Sequence, residues 1–171
     1  FALAPERATA RPAADDAYET VLSYVSELGG RSSAVAVDGT TVYLGLSDRL
    51  IILDASDRAS TRLVGTSPAL GGDVRAIALG EAYAFVSLGD PGIQAVDIRD
   101  PAAPVPVGDV VGTPGDCRDL ALEGALLYVA DGAAGIGVLD VSDPGGARAV
   151  GALRTPRLSR SVAVRGGWLF V

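Results

Sequence analysis

Histidine and lysine are absent from this 171-residue chain, and cysteine occurs once. With Cys117 alone, no internal disulfide can form, and a zinc site built from several Cys and His is excluded. A reactive thiol would need an activating base, and no imidazole is available to Cys117. Aromatic residues make up only 5% of the chain, so Val, Leu, Ile and Ala must carry the packing. No apolar stretch approaches the roughly 20 residues that span a bilayer as a helix. Positive charge is also scarce. The 14 basic residues are all Arg, against 21 acidic ones, for a net charge of −7. That balance argues against a nucleic-acid or anionic-membrane binder, which needs a basic face.

Apolar residues, by contrast, are plentiful at 49%, which argues against disorder over most of the length. The apolar runs also recur. VAVDGTTVYLG starts at Val35, IALGEAYAFVS at Ile77, LALEGALLYVA at Leu120 and VAVRGGWLFV at Val162, at offsets of 42, 43 and 42 residues. A period of this length built from short apolar runs is the pattern of β-propeller blades. The predicted fold is therefore all-β, with blades of four antiparallel strands at about 34–67, 76–111 and 119–153 and an incomplete blade from 160.

Each unit holds four runs. The first (Ala34–Val37, Arg75–Leu79, Arg118–Leu122, Arg160–Val164) mixes Ala with larger residues, as an innermost strand near a crowded axis should. The second (Thr41–Leu46, Ala82–Ser87, Leu126–Ala130, Gly167–Val171) follows a Gly-containing turn, which is a hairpin signal. The third (Leu50–Asp54, Ile93–Asp97, Ile136–Asp140) is almost continuously apolar, as a strand covered on both faces should be. The fourth (Thr61–Thr66, Val105–Val111, Ala147–Leu153) is the weakest. It contains a recurring Gly (Gly65, Gly108, Gly151) and, at Pro104 and Pro106, prolines that suit only an edge.

Residues 1–16 read as a flexible leader rich in Ala and Pro. Ala2 and Ala4 give an A-x-A pattern at what could be the tail of a secretory signal, although Pro5 disfavours cleavage there. Residues 17–28 have helical spacing at Tyr18, Val21, Leu22, Val25 and Leu28. Shifted by 42, however, they fall on the fourth run, so they are expected to form the outer strand of a preceding blade. The stretch is thus a partial propeller, and further repeats are expected to close the ring.

Residues 127–151, LYVADGAAGIGVLDVSDPGGARAVG, resemble the LVIVD-repeat family of bacterial proteins through the Tyr-Val-Ala-Asp-Gly run, the Val-Leu-Asp-Val-Ser-Asp-Pro run and the later Val-Gly. AFVSLGDPGIQAVDIRDPAAPVPVG is similar, and VYLGLSDRLIILDASDRASTRLVG lacks the Pro. The resemblance covers about residues 17–171. It implies a propeller that is usually exported or at the cell surface, and it implies no activity.

Two sets of recurring residues are candidate sites. Asp54, Asp97 and Asp140, with Asp57, Asp100 and Asp143 three residues behind, could bind Ca²⁺ through paired carboxylates or cap the following turn. Recurrence in every unit favours capping. Arg75, Arg118 and Arg160 precede the innermost strand and could form an axial site for an anion or an acidic partner segment, or pair with Asp73, Asp116 or Asp119. Asp131-Gly132-Ala133-Ala134-Gly135 reads as a turn, and Trp168 as packing. No catalytic residue, metal ligand or cofactor-binding residue is expected. Three functional readings follow. The first is a non-catalytic scaffold with a protein partner and no nucleic acid, in an extracytoplasmic location. The second is an accessory subunit of a larger membrane-associated or extracytoplasmic complex. The third is a propeller hydrolase with its catalytic residues in other blades; no Ser-x-Asp-x-Gly-x-x-Trp box is present.

Overall fold

Strand formation follows the four apolar runs. The computed structural model describes residues 32–57 and 60–171; the leader and the 17–28 segment lie outside them. Blade 1 comprises β1 (Ser32–Asp38), β2 (Thr41–Leu46), β3 (Arg49–Asp54) and β4 (Arg62–Thr66). Blade 2 comprises β5 (Ala76–Leu79), β6 (Tyr83–Ser87), β7 (Ile93–Asp97) and β8 (Val105–Val111). Blade 3 comprises β9 (Asp119–Glu123), β10 (Leu126–Ala130), β11 (Ile136–Asp140) and β12 (Arg148–Leu153), and a hairpin of β13 (Ala163–Arg165) and β14 (Trp168–Phe170) follows. Each blade is an antiparallel meander in sequence order. Inner strands β1, β5, β9 and β13 touch in succession, which is the arrangement of a β-propeller. Arg75 and Arg118 immediately precede β5 and β9, whereas Arg160 stands apart from β13, which begins only at Ala163.

The central strands of blade 2 are buried on both faces, against blades 1 and 3. On β6 and β7, Ala84, Val86 and Val96 point into the seam with blade 1, beside Tyr43, Leu50 and Ile52. The alternate residues Phe85, Ile93 and Ala95 point into the seam with blade 3, beside Leu127, Val129 and Leu139. This explains the loss of polar alternation in the third run. A fully buried Val, Leu or Ile contributes roughly 1.5–3 kcal/mol, so these seams are the main source of stability.

Two further joints repeat between blades. The first links the hairpin turn between the second and third strands to the chain entering the next blade. The Val74 N–H donates to the Ser47 carbonyl at 2.7 Å, Gly89 bridges Cys117, and Gly132 and Ser159 exchange backbone hydrogen bonds of 3.1 and 2.9 Å. The turn residue is left-handed each time, with φ of 50° at Ser47, 76° at Gly89 and 56° at Gly132. Ser47 is exposed and contributes only its carbonyl to the joint. Ser47→Gly is therefore expected to raise stability by about 0.5–1 kcal/mol, because relief of left-handed strain exceeds the added entropy of the unfolded chain. Chemical denaturation checks this; a lower midpoint would mean that the hydroxyl has a structural role.

The second joint explains the recurring Gly of the outer strand. A Cβ on Gly65 would lie 2.9 Å from the Ala102 carbonyl carbon and closer still to the Pro101 oxygen. One on Gly108, at φ 66°, would lie 2.8 Å from Gly145 Cα. The Asp-Pro turn of each following blade thus sits directly on the bare backbone of the preceding outer strand. In β8 this Gly belongs to a bulge, and the amide of buried Gln94 donates to the carbonyls of Val107 (2.9 Å) and Ala95 (3.0 Å).

Candidate functional site

The blades present two rims. On the entry rim the chain enters each inner strand; on the opposite rim the first two strands of each blade turn over and the third joins the fourth. Arg75, Arg118 and Arg160 lie on the entry rim. Arg75 and Arg118 converge on one carboxylate: Arg75 pairs with Oδ1 of Asp116, and Arg118 with Oδ2 at 2.9 Å. The Arg75 guanidinium lies across Gly89, where a Cβ would be 2.6 Å from Cζ. Asp119 turns to the hairpin and accepts from the Ser161 hydroxyl at 2.6 Å and the Val162 N–H at 2.9 Å. Asp73 and Arg160 are exposed and form no ion pair among the described residues. The structure therefore brings two of the three Arg together around a shared Asp and leaves the third apart. The shared Asp joins blade 2 to blade 3.

Asp54, Asp97 and Asp140 lie on the opposite rim. Their carboxylates accept from the N–H of Ser56 (2.8 Å), Arg99 (3.0 Å) and Ser142 (3.0 Å), two residues on. Each also takes one guanidinium: Arg62 and Arg148 at 3.1 Å, and Arg99, whose Nε donates at 3.0 Å. Asp100 caps the next turn through the Ala102 N–H at 3.0 Å. Among the described residues no three carboxylates or thiols converge as metal ligands would.

Hydrogen bonds from Arg99 hold Asp97, and those from Ser142 and then Arg148 hold Asp140, at about 2 against an ordinary 3.8. Donation from Ser56 lowers Asp54 in the same direction. A carboxyl whose pKa is lower when folded adds stability above its unfolded pKa and loses it as pH falls through the folded value. Stability is therefore expected to hold above about pH 5 and to decline between about pH 4 and pH 2. Asp97→Asn and Asp140→Asn should flatten that decline in denaturation midpoints taken against pH; an unchanged acid limb in the double variant would exclude these two groups as its source.

A concavity lies on the same rim. A groove of about 860 Å³ runs from Val37 and Asp38 of blade 1, past the β5–β6 turn, into the gap between blades 2 and 3. Leu79, Phe85, Leu122 and Val141 line it, with Glu81, Tyr83, Gly124 and Pro144. The Arg99 guanidinium lies 5.8 Å from the Tyr83 ring centroid, within cation–π range. These residues come from three blades. Val37, Leu79 and Leu122 share one place in the repeat, as do Ala82 and Ala125, whereas the turn residues Asp38 and Glu81 hold different places in it.

Asp131 is a structural residue that turn chemistry alone does not reveal. It is 2% exposed, and it accepts from the Thr113 hydroxyl at 2.8 Å and the Gly115 N–H at 2.9 Å. It thereby ties the connection from blade 2 to the hairpin turn of blade 3. Cys117 is fully buried, and burial pushes its thiol up to about 12. Trp168 corrects the expectation of packing. It is 73% exposed on β14, which pairs with β13 among the described residues.

No curated protein matches the sequence. Among solved structures, the computationally designed Ika4 protein superposes with a TM-score of 0.66 at 14% identity, over 85% of this chain and 87% of that one. The designed Ika8 protein gives 0.65 at 14% identity, over 88% of this chain and 46% of that one. U3-55K gives 0.65 at 12% identity, over 81% and 44%. The chain thus spans a little under half the length of the last two. At these identities the likeness concerns the fold alone. The LVIVD repeat matches three stretches, 29–67, 71–111 and 114–153. These stretches coincide with the three blades and their entering segments, and the chain belongs to the LVIVD-repeat family.

Proposed function

We propose that this protein is a non-catalytic docking scaffold that receives a protein partner on the rim opposite to chain entry. The observation that carries this reading is the groove between blades 2 and 3. Most residues that recur are engaged in building blades: the strand-end Asp with their turns, Gly65 and Gly108 with the following Asp-Pro turn, and Arg75 and Arg118 with Asp116. The groove combines an apolar position that recurs, Val37, Leu79 and Leu122, with the carboxylates Asp38 and Glu81, which hold different places in the repeat, and these side chains line an open concavity of a size that suits ligand recognition. A scaffold of stacked sheets offers such surfaces without moving. Export from the cytoplasm belongs to the same proposal and rests on the A-x-A leader pattern and the family resemblance; fractionation of source cells tests it.

A photo-crosslinking residue tests the docking surface. Placed at exposed Ala125 on the groove, it is expected to capture one partner in source cells. Placed at exposed Asp90 on the entry rim, it should not. Equal capture from both rims, or recovery of only the free chain, would overturn the reading.

A further inference from the structure

We infer that the groove takes an extended cationic segment, one in which Arg or Lys alternates with apolar side chains. This inference rests on the docking reading above and names the chemistry of the partner. The first argument is the shape and lining of the groove. Phe85 and Val141, 4% and 6% exposed, form the floor, while Leu79 is partly buried against the seam of blades 1 and 2 and Leu122 against the seam of blades 2 and 3. At the axial end Val37 is 60% exposed. Apolar surface is thus offered along a line from blade 1 to blade 3 rather than as one deep hole, which suits an extended chain better than a compact ligand. Gly80 and Gly124 lie along that line, so a backbone can approach closely.

The second argument is charge. Arg62, Arg99 and Arg148 lie on this rim, and each is already paired with Asp54, Asp97 or Asp140. Asp38 and Glu81, at the groove itself, are exposed and have no cation within ion-pair distance among the described residues. The net charge of −7 adds a favourable long-range field for a cation. An anionic partner would meet two uncompensated carboxylates at the mouth, whereas guanidinium or ammonium groups would supply the missing partners. Alternation matches the geometry, because successive side chains of an extended segment point to opposite sides. One set can enter the apolar line while the other stays at the carboxylate rim.

The test uses fluorescein-labelled peptides of alternating Arg and Leu, Glu and Leu, or Arg and Ser, followed by anisotropy. The Arg-Leu peptide is expected to bind, and its affinity should fall with added salt. An Asp38→Asn/Glu81→Gln double variant should weaken it at least about tenfold and reduce the salt dependence. Asp90→Asn, on the entry rim, should leave binding unchanged. If the Glu-Leu peptide binds equally, or the double variant has no effect, the cationic inference is overturned while apolar docking stands. If Arg-Ser binds as well as Arg-Leu, attraction is to surface charge alone and docking in the groove is overturned. Binding of no peptide overturns the cationic inference, and the Ala125 cross-link then decides whether docking survives.

Discussion

Gly108→Ala is expected to destabilise the chain by about 2–4 kcal/mol, while Gly39→Ala, at a left-handed turn with open space around it, should cost only about 1 kcal/mol. Gly108 combines two constraints. Its φ of 66° is left-handed, and its Cα faces the backbone of Gly145, with a Cβ 2.8 Å from Gly145 Cα. Neither can relax cheaply, because the opposing atoms are main chain. Gly39 shares the left-handed backbone, with φ of 57°, but a Cβ there meets nothing within 4 Å. The two substitutions are identical in chemistry and in helix and strand propensity. Guanidinium denaturation therefore isolates the blade joint: equal losses would mean that the left-handed backbone alone sets the cost, and the turn of the next blade has no part in it.

Asp131→Ala should cost about 3 kcal/mol, the second largest effect. The substitution removes a fully buried carboxylate and leaves the Thr113 hydroxyl and the Gly115 N–H without their acceptor. Hydrogen bonds to a charged group are worth about 1.5–3 kcal/mol each, and some of that returns when water reaches the half-buried connection. Asp131→Asn keeps one acceptor oxygen and should recover roughly half of the loss. Loss of native-state hydrogen exchange protection should be concentrated in residues 112–118. A uniform loss across all three blades would show that Asp131 acts through the core rather than through this connection.

These two residues show where sequence reading reaches its limit. The strands were legible because their signals are local: an apolar run, a Gly-containing turn and another run, repeated at 42–43 residues. The strand-end Asp were legible as turn chemistry for the same reason. Asp131 occupies the place held in blade 2 by buried Leu88, so neither its burial nor its partners follow from alignment of the repeats. The Gly at 65, 108 and 151 was visible as a recurrence, but its meaning depends on which surface of the next blade arrives there. The choice among Asp73, Asp116 and Asp119 as partners for the Arg was likewise open, since all three lie within two residues of an Arg in sequence. Only the packing of blade 2 on blade 3 selects Asp116 for both Arg75 and Arg118. The groove is the extreme case: its lining runs from residue 37 to residue 144, and no sequence window contains it.

The blade joints also bear on how such a chain can lengthen. Blade 2 carries a bare outer strand that accepts a turn, and a turn of the kind that is accepted. It likewise carries a left-handed hairpin turn and an entering segment that bonds to one. Donor and acceptor halves of both joints are therefore encoded within about 43 residues. Tandem duplication of one unit would create a new boundary whose two sides already fit, with no compensating substitutions needed elsewhere. Growth by whole units is thus favoured over growth by insertion, and divergence is free to concentrate at rim positions that neither joint uses, such as Asp38 and Glu81.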